Sequence, residues 1–228
     1  MKIKKLVLAV IAVLLVFSFE ACRDRTRSNA VIFALKAGNY WEYSGKFNDK
    51  KVTCRIEVKQ VVTQGRLTFA LMRGFPADVM DGEDWEASVW GLLVVDGGHY
   101  YKVSGPRIDT IANEMLRKDV IHSGLVTDAD LFLEALCDTG QIFGEASQLT
   151  RDDGNYFWKV TEKHAFEASS IKGLKISGNF DRYTIHYQTV ADDVTMDVVP
   201  GIGIARYRYC HHGTPGELDL KLTEAMIK

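Results

Sequence analysis

Val52, Cys54, Ile56 and Val58 alternate with Thr53, Arg55, Glu57 and Lys59. That is the period-two pattern of a strand with one buried and one wet face. Leu67, Phe69 and Leu71 continue it after a turn at Gln64-Gly65. Val89 to Val95, then Asp96-Gly97-Gly98, then His99 to Val103 reads as a hairpin with glycine-bearing turn chemistry. Tyr156 to Phe166, Phe180 to Val190, Val194 to Val199, Gly203 to His211 and Glu217 to Glu224 are further strands. In the last, Leu218, Leu220 and Leu222 face one way and Asp219, Lys221 and Thr223 the other. The middle of the chain is spaced differently. Ile108, Ile111 and Met115 fit a helix, and Thr127 caps a second. That second helix has Asp128 and Asp130 in its first turn, Leu131, Phe132, Ala135 and Leu136 on one face and Gly140 as its stop. The pattern predicts a mainly β chain (a β-rich α+β fold), a twisted antiparallel sheet of about ten strands with a short helical insert near 108–140.

The first 29 residues do not belong to that pattern. Met1-Lys2-Ile3-Lys4-Lys5 is a basic start, and Leu6 to Phe19 is an uncharged run of 14 residues. This is the length of the apolar part of a signal peptide and falls short of the roughly 18 to 20 residues that span a bilayer. Ala21-Cys22 follows. The segment resembles a bacterial lipoprotein signal, which implies that Cys22 becomes the lipidated first residue of the mature chain, acylated with palmitate-type chains. Phe19 and Glu20 depart from that pattern, so an uncleaved anchor and a freely secreted protein are the alternatives. Arg23 to Asn29 reads as a polar tether. The expected organisation is a signal peptide over 1–21, a tether over 22–29 and one β-rich domain over 30–228.

Composition narrows the classes. The 228 residues are 46% hydrophobic and 25% charged, ordinary globular values that exclude disordered, collagenous and multi-pass membrane chains. The formal charge is −2, and without residues 1–21 the balance is 25 basic against 29 acidic residues. No basic excess argues for nucleic acid as a partner. With Cys22 lipidated, Cys54, Cys137 and Cys210 remain, enough for one disulfide. Cys54 and Cys210, both in strand-like alternation, are the candidate pair. Three unpaired thiols are the plainer reading, with Cys137 buried at the end of a helical stretch.

Leu35-Lys36-Ala37-Gly38-Asn39-Tyr40-Trp41-Glu42-Tyr43 opens the domain, and Pro200-Gly201-Ile202-Gly203 leads into a late strand, followed by a polar turn and a leucine-alternating strand. At both ends the chain resembles uncharacterised bacterial envelope lipoproteins that carry a Gly-Asn-x-Trp-x-Tyr opening strand and a closing Pro-Gly-Ile-Gly strand pair. The resemblance implies an exported or lipid-anchored β-rich domain and carries no catalytic residues. Inside the chain, Gly38-Asn39-Tyr40-Trp41 is echoed by Gly154-Asn155-Tyr156-Phe157-Trp158, which shared turn-to-strand chemistry explains as well as a duplication does.

Candidate chemistry is sparse. Trp41 and Tyr43, with Tyr40 opposite, could form an aromatic platform, although strand aromatics are more often core. Phe69, Trp90, Tyr101, Trp158 and Tyr207 join them as the large residues expected to line either the core or a ligand concavity. Pro200-Gly201-Ile202-Gly203 lacks the following helix of a phosphate loop and reads as a turn or bulge. Cys210 and His212 point to one face of a strand, and His186 or Cys54 would have to complete a metal set, so no metal site is assigned. Asp81, Glu83, Asp84 and Glu86 depart from calcium-loop spacing, while Asp152-Asp153-Gly154-Asn155 and Asp192-Asp193 read as turns. No Gly-x-Ser-x-Gly or His-Glu-x-x-His motif and no cofactor motif occurs. The expectation is a non-enzymatic, lipid-anchored envelope protein, a binding or structural module for an apolar ligand or an envelope partner. The alternative is a periplasmic or surface hydrolase acting on glycans or peptides.

Overall fold

The computed structural model describes residues 31–80, 82, 84–115, 123–136, 138–176, 178–213 and 216–228. The signal segment, Cys22, Asp81, Glu83 and Cys137 lie outside these residues. In chain order the strands are β1 (Tyr40–Phe47), β2 (Lys50–Gln64), β3 (Leu67–Arg73), β4 (Val89–Val95), β5 (His99–Ser104) and β6 (Leu131–Glu134). They continue as β7 (Ile142–Phe143), β8 (Trp158–Phe166), β9 (Phe180–Gln188), β10 (Asp192–Val199), β11 (Gly203–His211) and β12 (Glu217–Met226). Among the described residues one α-helix, α1 (Arg107–Glu114), follows β5.

All twelve strands form one antiparallel sheet in the order β6-β5-β4-β3-β2-β1-β12-β11-β10-β9-β8-β7. Each half of the chain is therefore a six-stranded meander, and β1 pairing with β12 joins the halves. The sheet curls into a nearly closed barrel whose ends, β6 and β7, approach without a ladder between them. This is the seam.

The local sequence explains the turns. Asn48-Asp49 connects β1 to β2 with Asn48 at a φ of 51°, a conformation that asparagine tolerates in tight hairpins. Pro200-Gly201-Ile202 connects β10 to β11, as the turn reading expects. Gly203 suits that site because its φ is 109°, which side-chain-bearing residues rarely adopt, and a Cβ there would also sit 3.0 Å from the Phe33 ring.

Three positions of the predicted pattern change. The second predicted helix is only a 3₁₀ turn at Asp128–Asp130, and Leu131–Glu134 is strand β6, paired with β5. Asp130, expected to start a helix, instead takes a two-pronged bond from Arg107 at 2.8 and 2.7 Å. Leu131, Phe132, Ala135 and Leu136 are spaced for a helical face, yet Phe132, Leu133 and Leu136 are all buried; sheet pairing overrides that spacing. β7, of two residues, is too short to leave a pattern. Asp192 and Asp193 likewise begin β10 instead of forming a turn.

Twelve strands enclose more space than inward side chains alone can fill. Two segments plug it. Phe33 meets Trp41 and Tyr100 with ring centroids 5.6 and 6.3 Å apart. Phe75, from the β3–β4 connection, meets Trp90, Phe132 and Tyr207 edge-on at 5.5, 5.7 and 5.6 Å. A second, outer cluster forms where α1 lays Ile111 and Met115 over Phe69, Leu93 and Val103. That cover is why β4 is apolar on both faces. Elsewhere the outer face is charged, with pairs such as Arg55–Glu42, Arg73–Glu57 and Arg206–Asp219. An apolar interior with a charged exterior is the reverse of a lipid-facing barrel.

Candidate ligand cleft at the open seam

A cleft of about 200 Å³ opens at the seam, lined by Asp128, Leu131, Glu145, Gln148, Tyr156, Trp158 and Tyr187 among others. Trp158 starts β8 and Tyr187 is the last residue but one of β9, and the two are directly paired in register. Their ring centroids are 4.9 Å apart. Behind Trp158, Phe143 stacks at 6.4 Å and Phe132 meets it edge-on at 6.3 Å, so the indole is backed by both sides of the seam.

Tyr156 is the unusual member. Its φ is 68°, the left-handed region that a bulky residue rarely adopts, at a cost of about 1–3 kcal/mol. The bend is held by Tyr156 N donating to Gln188 O at 2.7 Å. Asp153, which accepts from Asn155 N at 3.0 Å and pairs with Arg151, fixes the turn before it. The Arg151 guanidinium then lies over the Tyr156 ring at 4.8 Å. Burial pushes the Tyr187 phenol up, with Tyr156 and Glu145 adding to the effect. Burial also raises Tyr101, assisted by Asp128. The lining holds two carboxylates, an amide and three half-exposed aromatic rings, with no lysine or arginine.

The sequence-predicted aromatics divide. Trp158 lines the cleft. Trp41, Tyr43, Trp90 and Tyr207 are core: Trp41 Nε1 donates to Ile202 O, Tyr43 OH to Ile204 O at 2.9 Å and Trp90 Nε1 to Gly74 O at 2.9 Å. Phe69 lies under α1, and Tyr101 packs against the same outer cluster. The platform of Trp41 and Tyr43 is therefore interior, while Tyr40 faces outward and donates to Glu224 at 2.7 Å. Tyr156 and Tyr187 are site residues that the sequence does not mark: Tyr156 stands out only within the Gly-Asn-Tyr echo, and nothing in the sequence joins it to Tyr187 or Asp128.

Cys54 and Cys210 are both free, the first buried and the second exposed. The expected disulfide does not form, because β2 and β11 are separated by β1 and β12, about 14 Å at ordinary strand spacing. Burial pushes the Cys54 thiol up to about 12. His186 lies 2.8 Å from Asp193, and His211 2.9 Å from Asp192. Among the described residues no three His, Cys, Asp or Glu side chains converge as metal ligands. A second concavity of about 470 Å³ lies on the outer face, bordered by Lys46, Arg208, Cys210 and Glu217. Its mixed charges include Asp219, bonded to Arg206 at 2.8 and 2.6 Å.

The geometry defines a class: a plugged, twelve-stranded antiparallel near-barrel with an aromatic cleft at its open seam. No protein-family model matches the chain, and no curated protein matches it. Two solved structures are similar. One is a candidate exported protein of Bacteroides fragilis NCTC 9343 with a YmcC-like fold, at 10% identity, covering 86% of this chain and 99% of that one, with a TM-score of 0.42. The other is a candidate lipoprotein of Parabacteroides distasonis ATCC 8503, at 13% identity, covering 86% and 98%, with a TM-score of 0.38.

Proposed function

We propose that this protein is an exported, lipid-anchored module of a bacterial cell envelope that binds a small ligand in the seam cleft. The observation that carries the reading is Tyr156, a bulky residue held at a left-handed φ in a cleft that also presents Trp158 and Tyr187. Backbone strain of this kind persists where position matters more than stability. The cleft volume is below the roughly 300–1,000 Å³ of drug-sized sites. It suits one ring-sized group, and its polar lining narrows the apolar ligand expected from the sequence. Export and the Cys22 anchor rest on the Lys-rich start, the 14-residue apolar run and Ala21-Cys22. A second reading, a glycan hydrolase, is favoured by Asp128 and Glu145 at one cleft, since that chemistry needs two carboxylates.

Native mass spectrometry of the protein extracted from its own envelope, beside the Tyr156→Gly variant, tests the proposal. The expected result is diacylglyceryl mass on Cys22 in both and a ligand mass in the wild type alone. The same ligand mass on both would overturn the site. Turnover of an offered glycan, lost in Glu145→Gln, would favour the hydrolase.

A further inference from the structure

We infer that the seam cleft takes a neutral pyranose ring, with its apolar C–H face against Tyr156, Trp158 and Tyr187 and its hydroxyls donating to Asp128 and Glu145. The inference rests on the cleft being the ligand site and names the ligand's class. Three features carry it. The first is shape. A cavity of about 200 Å³ is small against drug-sized sites and admits a single sugar ring, so a longer glycan would extend out of the seam.

The second is the pairing of chemistries. A pyranose has one face of C–H groups and a rim of hydroxyls. Half-exposed aromatic rings offer a flat apolar wall at little entropic cost. The carboxylates accept from hydroxyls as charge-assisted bonds, and the Gln148 amide can both donate and accept. An aliphatic chain would leave these polar groups unpaired.

The third is charge. The lining contains Asp128 and Glu145 and no cation. The Arg151 guanidinium, over the Tyr156 ring at 4.8 Å, is engaged by Asp153 through both Nε, at 3.0 Å, and Nη2. A uronate or a sulfated sugar would bring like charge to two carboxylates, so neutral sugars are selected against acidic ones.

Saturation-transfer NMR on the detergent-solubilised full chain, with the methyl glycosides of glucose, galactose, mannose and N-acetylglucosamine as probes and galacturonate as the acidic comparator, tests this. Transfer to the C–H protons of at least one neutral glycoside is expected. Galacturonate should bind at least about tenfold more weakly and gain in Glu145→Gln. Tyr156→Gly, which relieves backbone strain, and Tyr187→Leu should each abolish the transfer while the domain stays folded by circular dichroism. No transfer from any neutral glycoside, or equal transfer to galacturonate, would overturn the saccharide assignment. A non-saccharide ligand lost in Tyr156→Gly would then leave the cleft standing. Transfer that persists in both variants would place the sugar elsewhere and overturn the cleft as well.

Discussion

The guanidinium of Arg151 lies over the Tyr156 ring, 4.8 Å from its centroid, and the Tyr156 backbone is held at a φ of 68°. The ring is thus fixed from outside while its backbone is strained, and the two contributions to stability oppose each other. Replacing Tyr156 by glycine removes the contact, worth about 0.5–1 kcal/mol at an exposed site, and also the strain. Replacing it by alanine removes only the contact. Tyr156→Gly should therefore be more stable than Tyr156→Ala by about 1 kcal/mol, with both defective in ligand binding. Urea unfolding midpoints of the two variants check this order, and the reverse order would mean that the turn is unstrained.

Gly45 marks where the two meanders join. A Cβ there would lie 1.8 Å from the carbonyl oxygen of Asp219 on β12, and backbone cannot yield as a flexible side chain can. Gly45→Ala should destabilise by about 3 kcal/mol or more, since it forces apart the β1–β12 ladder. Thermal unfolding measures the loss. A cost below about 1 kcal/mol would show that the junction is looser than its register requires.

Lys102 projects into the interior, with its ammonium 3.5 Å from the Phe75 ring centroid and 5.6 Å from that of Trp90. Burial lowers its pKa from 10.5 to about 8, with Asp78 opposing the shift. Below pH 8 both folded and unfolded chains carry the proton, so the full penalty for burying the charge applies. Between about 8 and 10.5 the unfolded chain binds more protons, and stability rises with pH. Lys102→Met should stabilise at pH 7 by about 1–2 kcal/mol. That gain should shrink towards zero by the top of this window. Chemical unfolding of both proteins across the range tests the sign, and a gain that grows with pH would contradict it.

The thiols give a third contrast. Cys54 is buried and its pKa is pushed up to about 12, while Cys210 is exposed. Iodoacetamide at pH 8 should label Cys210 in the folded protein and Cys54 only after denaturation, read by peptide mapping. A Cys54–Cys210 crosslinked peptide from the oxidised protein would contradict the separation of β2 from β11.

Much of the fold was legible because alternation survives wherever the outer face is wet. β2 and β12 read directly from Val52 to Val58 and from Leu218 to Leu222. β4 read as a hairpin arm, but its unbroken apolar run could not reveal that α1 covers its outer face. β6 was lost because Phe132, Leu133 and Leu136 are all buried, and such a cluster looks alike in helix and strand. The site was less legible. Most of the largest aromatics, Trp41, Tyr43, Trp90 and Tyr207, are filler of a wide barrel, because the widest interior needs the largest side chains. The cleft joins the turn before β6 to the ends of β8 and β9, and that adjacency exists only once the sheet curls to its seam.

The central claim is that ligand meets the seam at Trp158. The indole N–H groups report on it directly, because Trp41 and Trp90 bond theirs inside the core to Ile202 and Gly74. In a ¹⁵N-correlated spectrum of the labelled domain, glycans extracted from its own envelope should shift the Trp158 indole signal and leave those of Trp41 and Trp90 in place. An unmoved Trp158 signal beside shifts elsewhere would contradict the account.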